Sequence, residues 1–403
     1  MVIKRTPPRY PRQGPSCLLV LFVLFGIFVG MFVIVNRDSV LDVIVPTPTP
    51  APTRSATEYA LLADLSQRDG ENQKAIQFYE NAVRLDATKP EFFVRLIELL
   101  VKTRQAERAL EVAEQAVVLA PENDAVWTAN AAAYVSNGNR LLDLGDPTGA
   151  ALQFAQAVQA AEKAISLNPQ NAQAYAYAAA GLVLPNDPNR FNRAFEMADL
   201  AVNLDPENPT ARYYMATVLV YQGYYSAARE NYLLGLQYDP SNADLHYGLA
   251  YNYFGTGNIP EAILSFEQAI AADPEHAGAY DGLAYMYLQL GQDPIAEQNA
   301  IISVSLNPNV ARAQGRLGEA YFRQFNYPNA IEALERSVSL YGRATDLNAR
   351  FFLMLGNAYI RDSLNNCPKA VPLFEQVVAV SVAWRESAAE GIEECRRASI
   401  VDN

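Results

Sequence analysis

The chain has 403 residues, half of them hydrophobic, and a formal net charge of −13. We expect no nucleic-acid binding from so acidic a chain, because phosphates are neutralised by clustered lysine and arginine. Two histidines and three cysteines leave little material for a metal site, a cofactor site or a nucleophile. His246 and His276 have no cysteine or carboxylate set around them, so we predict packed or solvated rings and no metal ligand or catalytic base there.

The first element along the chain is an apolar stretch over 17–35, without a charged or strongly polar residue. A helix of this length spans about 28 Å, close to the thickness of a bilayer core. Residues 1–16 carry four basic residues and no acidic one. The positive-inside rule therefore predicts a cytoplasmic tail, a single-pass helix in the cell membrane and an extracytoplasmic remainder. A cleaved signal peptide is the alternative, and the absence of an A-x-A site after the stretch disfavours it.

Residues 36–57 are rich in proline and threonine, with the run PTPTPAPT at 46–53. Such a backbone is extended and semi-stiff, so we predict a linker that holds the following residues away from the membrane. The threonines suit a plain spacer, with glycosylation as the alternative.

A repeat follows, and it is clearest in three consecutive 34-residue units that begin at 209, 243 and 277. The same kinds of residue recur in phase at the helix crossing, the turn, the second helix and the end of the unit. In the first unit these are Ala216, Gly223, Ala228, Tyr232 and Pro240, and in the second Ala250, Gly257, Ala262, Phe266 and Pro274. Apolar residues at helical spacing on both sides of the glycine predict two antiparallel helices, with proline ending the second.

This pattern resembles the tetratricopeptide repeat, over roughly 56–400. The resemblance implies an all-α fold: a right-handed α-solenoid of about nine helix hairpins over 58–400. A charged segment over 384–398 is typical of a C-terminal capping helix. The third repeat departs from the period, because its second-helix residues come fourteen positions late. We predict an over-long hairpin there, with helices over 124–144 and 148–167, a tip at 145–147 and a protrusion of roughly 10 Å.

Cys367 and Cys395 are expected to face each other, since they flank the predicted turn between two antiparallel helices at similar distances. We predict a disulfide, which an extracytoplasmic location permits. Two buried thiols that pack as small hydrophobic groups are the alternative.

The resemblance further implies that the first helix of each repeat lines a concave groove that binds a partner. Carried onto this sequence, it gives an aromatic floor followed by a run of arginines: Tyr213, Tyr221, Tyr247, Tyr251, Phe254, Tyr285, Arg312, Arg316, Arg323, Arg350 and Arg361. Tyrosine and arginine are common in binding hot spots. The alternatives are packing between repeats for the rings and a solvated, acid-balanced face for the arginines.

No phosphate loop, dinucleotide fingerprint or G-x-S-x-G motif occurs, and the repeats leave no room for a catalytic domain. We therefore predict a non-catalytic, membrane-tethered scaffold that binds a protein or peptide segment. Self-assembly into an envelope complex, with the third hairpin as the contact, is one alternative. Recognition of a glycan or small ligand on the tyrosine floor is another.

Overall fold

The structure, a computed structural model, describes residues 17–35 and 54–401. These residues fall into two units, the first ending at Ser55 and the second beginning at Ala56, and each is treated separately below. The predicted cytoplasmic tail over 1–16 lies outside the described residues. So does the predicted linker, except for its last four positions, of which Ala56 begins a helix.

The first unit contains helix α1, Cys17–Val35. Its window Leu18–Val35 has a mean hydropathy of 3.2, and none of that window is buried. A helix of this length and composition is either a membrane span or a signal sequence near the N-terminus.

The second unit is built of helices, which pair into nine successive antiparallel hairpins. The hairpins are α2/α3 (Ala56–Arg68, Asn72–Leu85), α4/α5 (Pro90–Lys102, Ala106–Leu119), α6/α7 (Asp124–Asp143, Pro147–Leu167), α8/α9 (Ala172–Val183, Phe191–Leu204), α10/α11 (Pro209–Tyr221, Tyr225–Tyr238), α12/α13 (Ala243–Gly255, Ile259–Ala272), α14/α15 (Ala277–Gln289, Asp293–Leu306), α16/α17 (Ala311–Arg323, Tyr327–Tyr341) and α18/α19 (Ala349–Asp362, Cys367–Val380). A last helix, α20 (Arg385–Val401), packs against α19 and the end of the array. The all-α solenoid of nine repeats and a cap is confirmed.

The sixth repeat illustrates why the sequence forms a hairpin. Gly257 has φ +78°, a left-handed conformation that a residue with a Cβ rarely adopts, and this conformation reverses the chain between α12 and α13. Ala250 and Ala262 are fully buried where the two helices cross, because small side chains let the backbones approach.

Neighbouring hairpins are joined by large side chains that meet small ones. Phe266 on α13 is fully buried and lies against Gly282 on α14, where no side chain occupies the space. Tyr232 on α11 lies in the same way against Gly248 on α12. Each hairpin therefore buries its apolar face only by stacking on the next, and the core runs along the whole array.

The third hairpin is over-long, as predicted. Helix α6 extends to Asp143 and α7 starts at Pro147, so the tip lies within one residue of the predicted position. The Asp146 side chain caps α7 by accepting a hydrogen bond of 2.8 Å from the backbone N–H of Gly149. The tip does not end in open solvent, since a Cβ on Gly145 would lie 3.7 Å from Tyr341 of the eighth repeat.

Candidate binding surface and inter-turn cavity

The aromatic residues predicted to form the groove floor are half-buried and pack on one another. Tyr247 and Tyr251 meet edge to face at 5.0 Å between ring centroids, and both also meet the buried Phe266, at 5.9 and 5.1 Å. Tyr213 meets the buried Tyr232 at 6.0 Å, and Tyr221 meets Phe191 at 6.0 Å. These four tyrosines therefore contribute to packing within and between repeats, and each still keeps part of its surface accessible.

Phe254 and Tyr285 continue this surface and lead into the arginines. Their rings meet at 5.3 Å, and the guanidinium of Arg316 lies over Tyr285 at 4.4 Å from the ring centroid. Arg350 lies over Phe351 at 4.5 Å and also approaches Tyr285. Stacked guanidinium groups and rings form a semi-rigid surface, because each restricts the rotamers of the other.

The predicted arginines have acidic partners within the chain. Arg323 lies 3.3 Å from Asp293, and Arg361 lies 3.9 Å from Glu394. Arg350 lies 3.5 Å from Glu319. Arg323 and Arg361 are exposed, so their pairs are weak and an acidic segment could compete for them.

Arg312 and Arg316 both pair with Asp281, a carboxylate that is only 2% exposed. Nε of Arg312 lies 2.8 Å from Oδ2 of Asp281, and Nη1 of Arg316 lies 2.5 Å from the same atom. Burial alone would raise the pKa of Asp281, but the two guanidinium groups more than offset this and lower the pKa below its usual value. The sequence prediction named the two arginines and missed the acid that holds them.

The third hairpin reaches the same cluster from the other side. Nη2 of Arg312 lies 3.8 Å from Oδ1 of Asp143, at the end of α6. The tip of the hairpin lies beside the last turn of α17, at Leu340 and Tyr341. The two additional helical turns in each helix of this hairpin therefore cross the gap between the third and eighth repeats. This contact uses the tip that the self-assembly alternative required for a second copy.

The second repeat makes a similar long-range contact through Arg104. Its Nη2 lies 3.0 Å from Oδ1 of Asp244 and 3.6 Å from Oδ2 of Asp273, both in the sixth repeat. Arg104 occupies the position where a turn glycine is usual, and it has a left-handed φ of +60°. A strained backbone of this kind persists only where the surrounding structure holds it, so the side chain's contact offsets a local cost.

We call this set of contacts the inter-turn contact. In it, Arg104 pairs with Asp244 and Asp273, Asp143 pairs with Arg312, and Gly145 lies beside Tyr341. These contacts join repeats two and three to repeats six and eight, which means that the solenoid winds far enough to meet itself. The inter-turn cavity lies between the joined parts and has a volume of about 470 Å³. Its charged lining residues are Arg104, Arg140, Asp143, Asp244, Asp281 and Arg312. Its aromatic lining residues are Tyr177, Tyr213, Tyr214, Tyr247 and His276.

The cavity changes the acidity of the groups that line it. Burial raises the pKa values of Tyr213 and Tyr247 well above the usual range, so both hydroxyls stay protonated at neutral pH. Burial alone would also raise the pKa of Asp244, but Arg104, with a smaller effect of His276, lowers it instead. The Asp244 side chain is 57% exposed although protein surrounds it, because it faces the cavity.

Of the sequence-predicted site residues, the structure brings Tyr213, Tyr247 and Arg312 to the cavity wall. Tyr221, Tyr251, Phe254, Tyr285, Arg316, Arg323, Arg350 and Arg361 are outside that lining. Among the residues that the structure describes, no group of three or more His, Cys, Asp or Glu side chains could hold a metal ion.

Cys367 and Cys395 lie at the far end of the array. Their Cα atoms are 5.4 Å apart and their sulfur atoms 2.08 Å apart, which is disulfide geometry. The pair joins the start of α19 to the capping helix α20.

Comparison with known proteins gives the family. Three stretches of the chain, 67–133, 243–276 and 294–348, match family models described as tetratricopeptide repeat. It is a tetratricopeptide repeat protein. The match at 243–276 coincides with the sixth repeat, and the other two cover parts of repeats one to three and of repeats seven and eight. Tetratricopeptide repeats generally mediate protein interactions and generally are not catalytic, so this solenoid is a protein-interaction scaffold.

Several solved structures are similar to this tetratricopeptide repeat protein. A structure titled human IFIT1 dimer with PPP-AAAA has a TM-score of 0.60 at 18% identity, and the match covers 86% of this chain and 91% of that one. The APC/C hetero-tetramer Cut9-Hcn1 has a TM-score of 0.49 at 17% identity, covering 80% of this chain and 66% of that one. For pilF of Pseudomonas aeruginosa the TM-score is 0.47 at 18% identity, with 55% and 98% covered. No curated protein matches significantly.

Proposed function

We propose that this protein is a membrane-tethered scaffold of the bacterial envelope, anchored by α1, whose solenoid captures a segment of a partner protein. One observation carries the proposal: nine stacked hairpins form a continuous surface of first helices, and half-buried rings and guanidinium groups follow one another along it from Tyr221 to Arg361. Such groups supply contact area with few freely rotating bonds, so binding to them costs little side-chain entropy.

The segment that fits this surface carries aromatic or aliphatic side chains followed by acidic ones. Tyr221, Phe254 and Tyr285 offer partly accessible rings on the first helices of repeats five to seven. Arg323 and Arg361, further along, keep much of their guanidinium surface exposed. An acidic residue of the partner would compete with Asp293 and Glu394, which are weakly held at 3.3 and 3.9 Å.

The tether rests on α1 and on the charges before it. A window of 18 residues with a mean hydropathy of 3.2 is long and apolar enough to span a bilayer. The four basic residues of 1–16 favour a cytoplasmic N-terminus and extracytoplasmic repeats. The mass of the chain from its native membrane tests this point, because an intact Met1 supports an anchor and a chain that starts after Val35 supports a cleaved signal sequence.

Capture of the partner is tested by crosslinking and pull-down of the full-length protein from its native membrane. Alanine at Tyr247 and Tyr251 would remove contacts to the core residue Phe266, so exposed positions make a cleaner test. We expect the double variant Arg323→Glu and Arg361→Glu to lose a discrete partner. The matched control is Arg336→Glu on the second helix α17, where an exposed arginine contacts Asn309. Equal recovery of the partner with both variants would contradict the groove assignment.

A further inference from the structure

The inter-turn cavity has the size of a small-molecule site, and part of its charged wall also forms the inter-turn contact. Its volume of about 470 Å³ lies within the range of small-ligand pockets. Two groups on this wall lack the partners that their chemistry requires.

His276 is the first group that lacks a partner. His276 is 2% exposed. Its Nδ1 accepts a hydrogen bond of 3.2 Å from the backbone N–H of Ala279, and the ring proton is therefore assigned to Nε2. Nε2 lies 3.6 Å from Oδ1 of Asp244, beyond hydrogen-bond distance, and has no hydrogen-bond partner among the described residues. The ring packs against Tyr247, with 4.8 Å between the ring centroids and a tilt of 32°, and this contact restricts its rotation. A buried donor without a partner is rare and indicates a missing acceptor.

Asp143 is the second such group. Its side chain is 45% exposed, and within the described part of the chain Arg312, at 3.8 Å, is its one ion-pair partner. That guanidinium bonds more closely to Asp281, at 2.8 Å. Burial raises the pKa of Asp143, and Arg312 only partly offsets that effect. The carboxylate therefore faces the cavity with incomplete compensation of its charge.

The charges around the cavity decide which ligand fits. Four arginines line it or pair with a lining residue: Arg104, Arg140, Arg312 and Arg316. Each of them already contacts at least one acid. The acids in these pairs are Glu107, Asp143, Asp244, Asp273 and Asp281, one more than the arginines. Three of these acids, Asp143, Asp244 and Asp281, line the cavity, so an added anion would meet three carboxylates there, whereas an added cation would complete the pairing.

We propose that the inter-turn cavity binds a small organic ammonium ligand, with Asp143 as its counter-ion. Asp244 contributes a second carboxylate, and the rings of Tyr213 and Tyr247 give the aromatic wall against which a cation and its apolar body pack. The Nε2–H of His276 donates to an acceptor elsewhere on the ligand or to a water that the ligand holds. This site is separate from the capture of a protein segment and does not depend on it.

Calorimetric titration of the full-length protein in detergent with phenethylamine tests the proposal. Two compounds of nearly the same shape serve as comparisons: neutral 2-phenylethanol and anionic phenylacetate. We expect saturable binding of the amine, and binding at least tenfold weaker for the alcohol and the anion. Absence of saturable amine binding, or equal binding of all three, would overturn the proposal.

Variants localise the site. Asp143→Asn should weaken amine binding at least tenfold, whereas Asp143→Glu, which keeps the charge, should retain binding. Glu111→Gln, which removes an exposed charge from α5 outside the cavity, controls for attraction to the acidic surface. Thermal melts establish that each variant is folded before it is titrated. Unchanged binding in Asp143→Asn, or an equal loss in Glu111→Gln, would show that the amine binds elsewhere.

Discussion

Arg104 and Asp244 are 140 positions apart in the chain, yet Nη2 of Arg104 lies 3.0 Å from Oδ1 of Asp244. The guanidinium is 43% exposed and the carboxylate 57% exposed, so the direct contribution of the pair to stability is about 0.2–1 kcal/mol. The backbone of Arg104, at φ +60°, costs roughly 1–2 kcal/mol relative to a residue in the right-handed region. We therefore infer that the main effect of the pair is to hold the second repeat against the sixth, and that its contribution to stability is small.

Arg104→Gly separates these two effects. Glycine adopts the left-handed turn without strain, but the link to Asp244 and Asp273 is lost. We expect little change in melting temperature and a wider, longer distance distribution between spin labels on Thr148→Cys and Arg343→Cys, in a Cys17→Ser background. Arg108→Ala is the control, because Arg108 pairs with Glu80 of the adjacent repeat. An unchanged distribution in Arg104→Gly would mean that Arg104 does not hold the inter-turn contact.

Asp281→Asn should strongly destabilise the solenoid. Arg316 is 6% exposed, and the substitution leaves its buried charge without a carboxylate, at a cost of about 3–5 kcal/mol. Urea unfolding at pH 7 measures the loss. Asp293→Asn, which affects the more exposed pair with Arg323, should cost less than about 1 kcal/mol. Similar losses for the two variants would contradict the role given to Asp281.

The same carboxylate gives a pH dependence. The pKa of Asp281 is lower in the folded state than its usual value, so its contribution to stability is present above about pH 4, the ordinary aspartate pKa. That contribution is lost as the pH falls through the folded-state value. We expect the free energy of unfolding to fall more steeply below pH 4 in the wild type than in Asp281→Asn. Parallel curves would exclude Asp281 as a source of the acid sensitivity.

Gly257→Val should lower the melting temperature through the backbone alone. The position has φ +78°, and no atom lies within 4 Å of the point that a Cβ would occupy, so strain is the expected effect, about 1–3 kcal/mol. Gln268→Val, at an exposed position of α13 in the same repeat, adds a β-branched residue without that strain. A melt of Gly257→Val equal to that of Gln268→Val would show that the turn tolerates a side chain.

Reduction should release the C-terminal cap. The bridge between Cys367 and Cys395 closes a separation of 28 residues, and the chain-entropy model gives it about 3–4 kcal/mol. We expect dithiothreitol to lower the melting temperature and to increase hydrogen exchange in α20. The double variant Cys367→Ser and Cys395→Ser should match the reduced wild type and show no further response to reductant. If oxidised and reduced chains melt alike, the two cysteines act as packed thiols.

The repeat itself could be predicted because it is local. Gly257 and Pro274 mark a turn and a helix end within one 34-residue unit, and the late second helix of the third repeat required only a count of residues. Asp281 was out of reach for the opposite reason. It stands in a first helix among apolar residues, and nothing near it in sequence indicates that Arg312 and Arg316, more than thirty positions later, would enclose it.

The pairing of Arg104 with Asp244 was even less accessible, since it depends on how far the whole array winds. The one local signal was that Arg104 occupies a turn position where the other repeats usually have glycine. This departure from the pattern did not indicate that Asp244 would be the partner of Arg104. For the same reason the inter-turn cavity could not be inferred, although two of its tyrosines were predicted from their places on the first helices.

A linear array of repeats couples each unit only to its neighbours, so it can fray from either end while the middle stays folded. The over-long third hairpin adds a contact between the third and eighth repeats, which are five units apart. Repeats three to eight are then joined both by stacking along the array and by this direct contact between the two ends. Opening any one of repeats three to eight then weakens the stacking on both sides and the cross-connection as well. We expect this part of the protein to exchange its amide hydrogens as one cooperative block, with the first repeat opening independently.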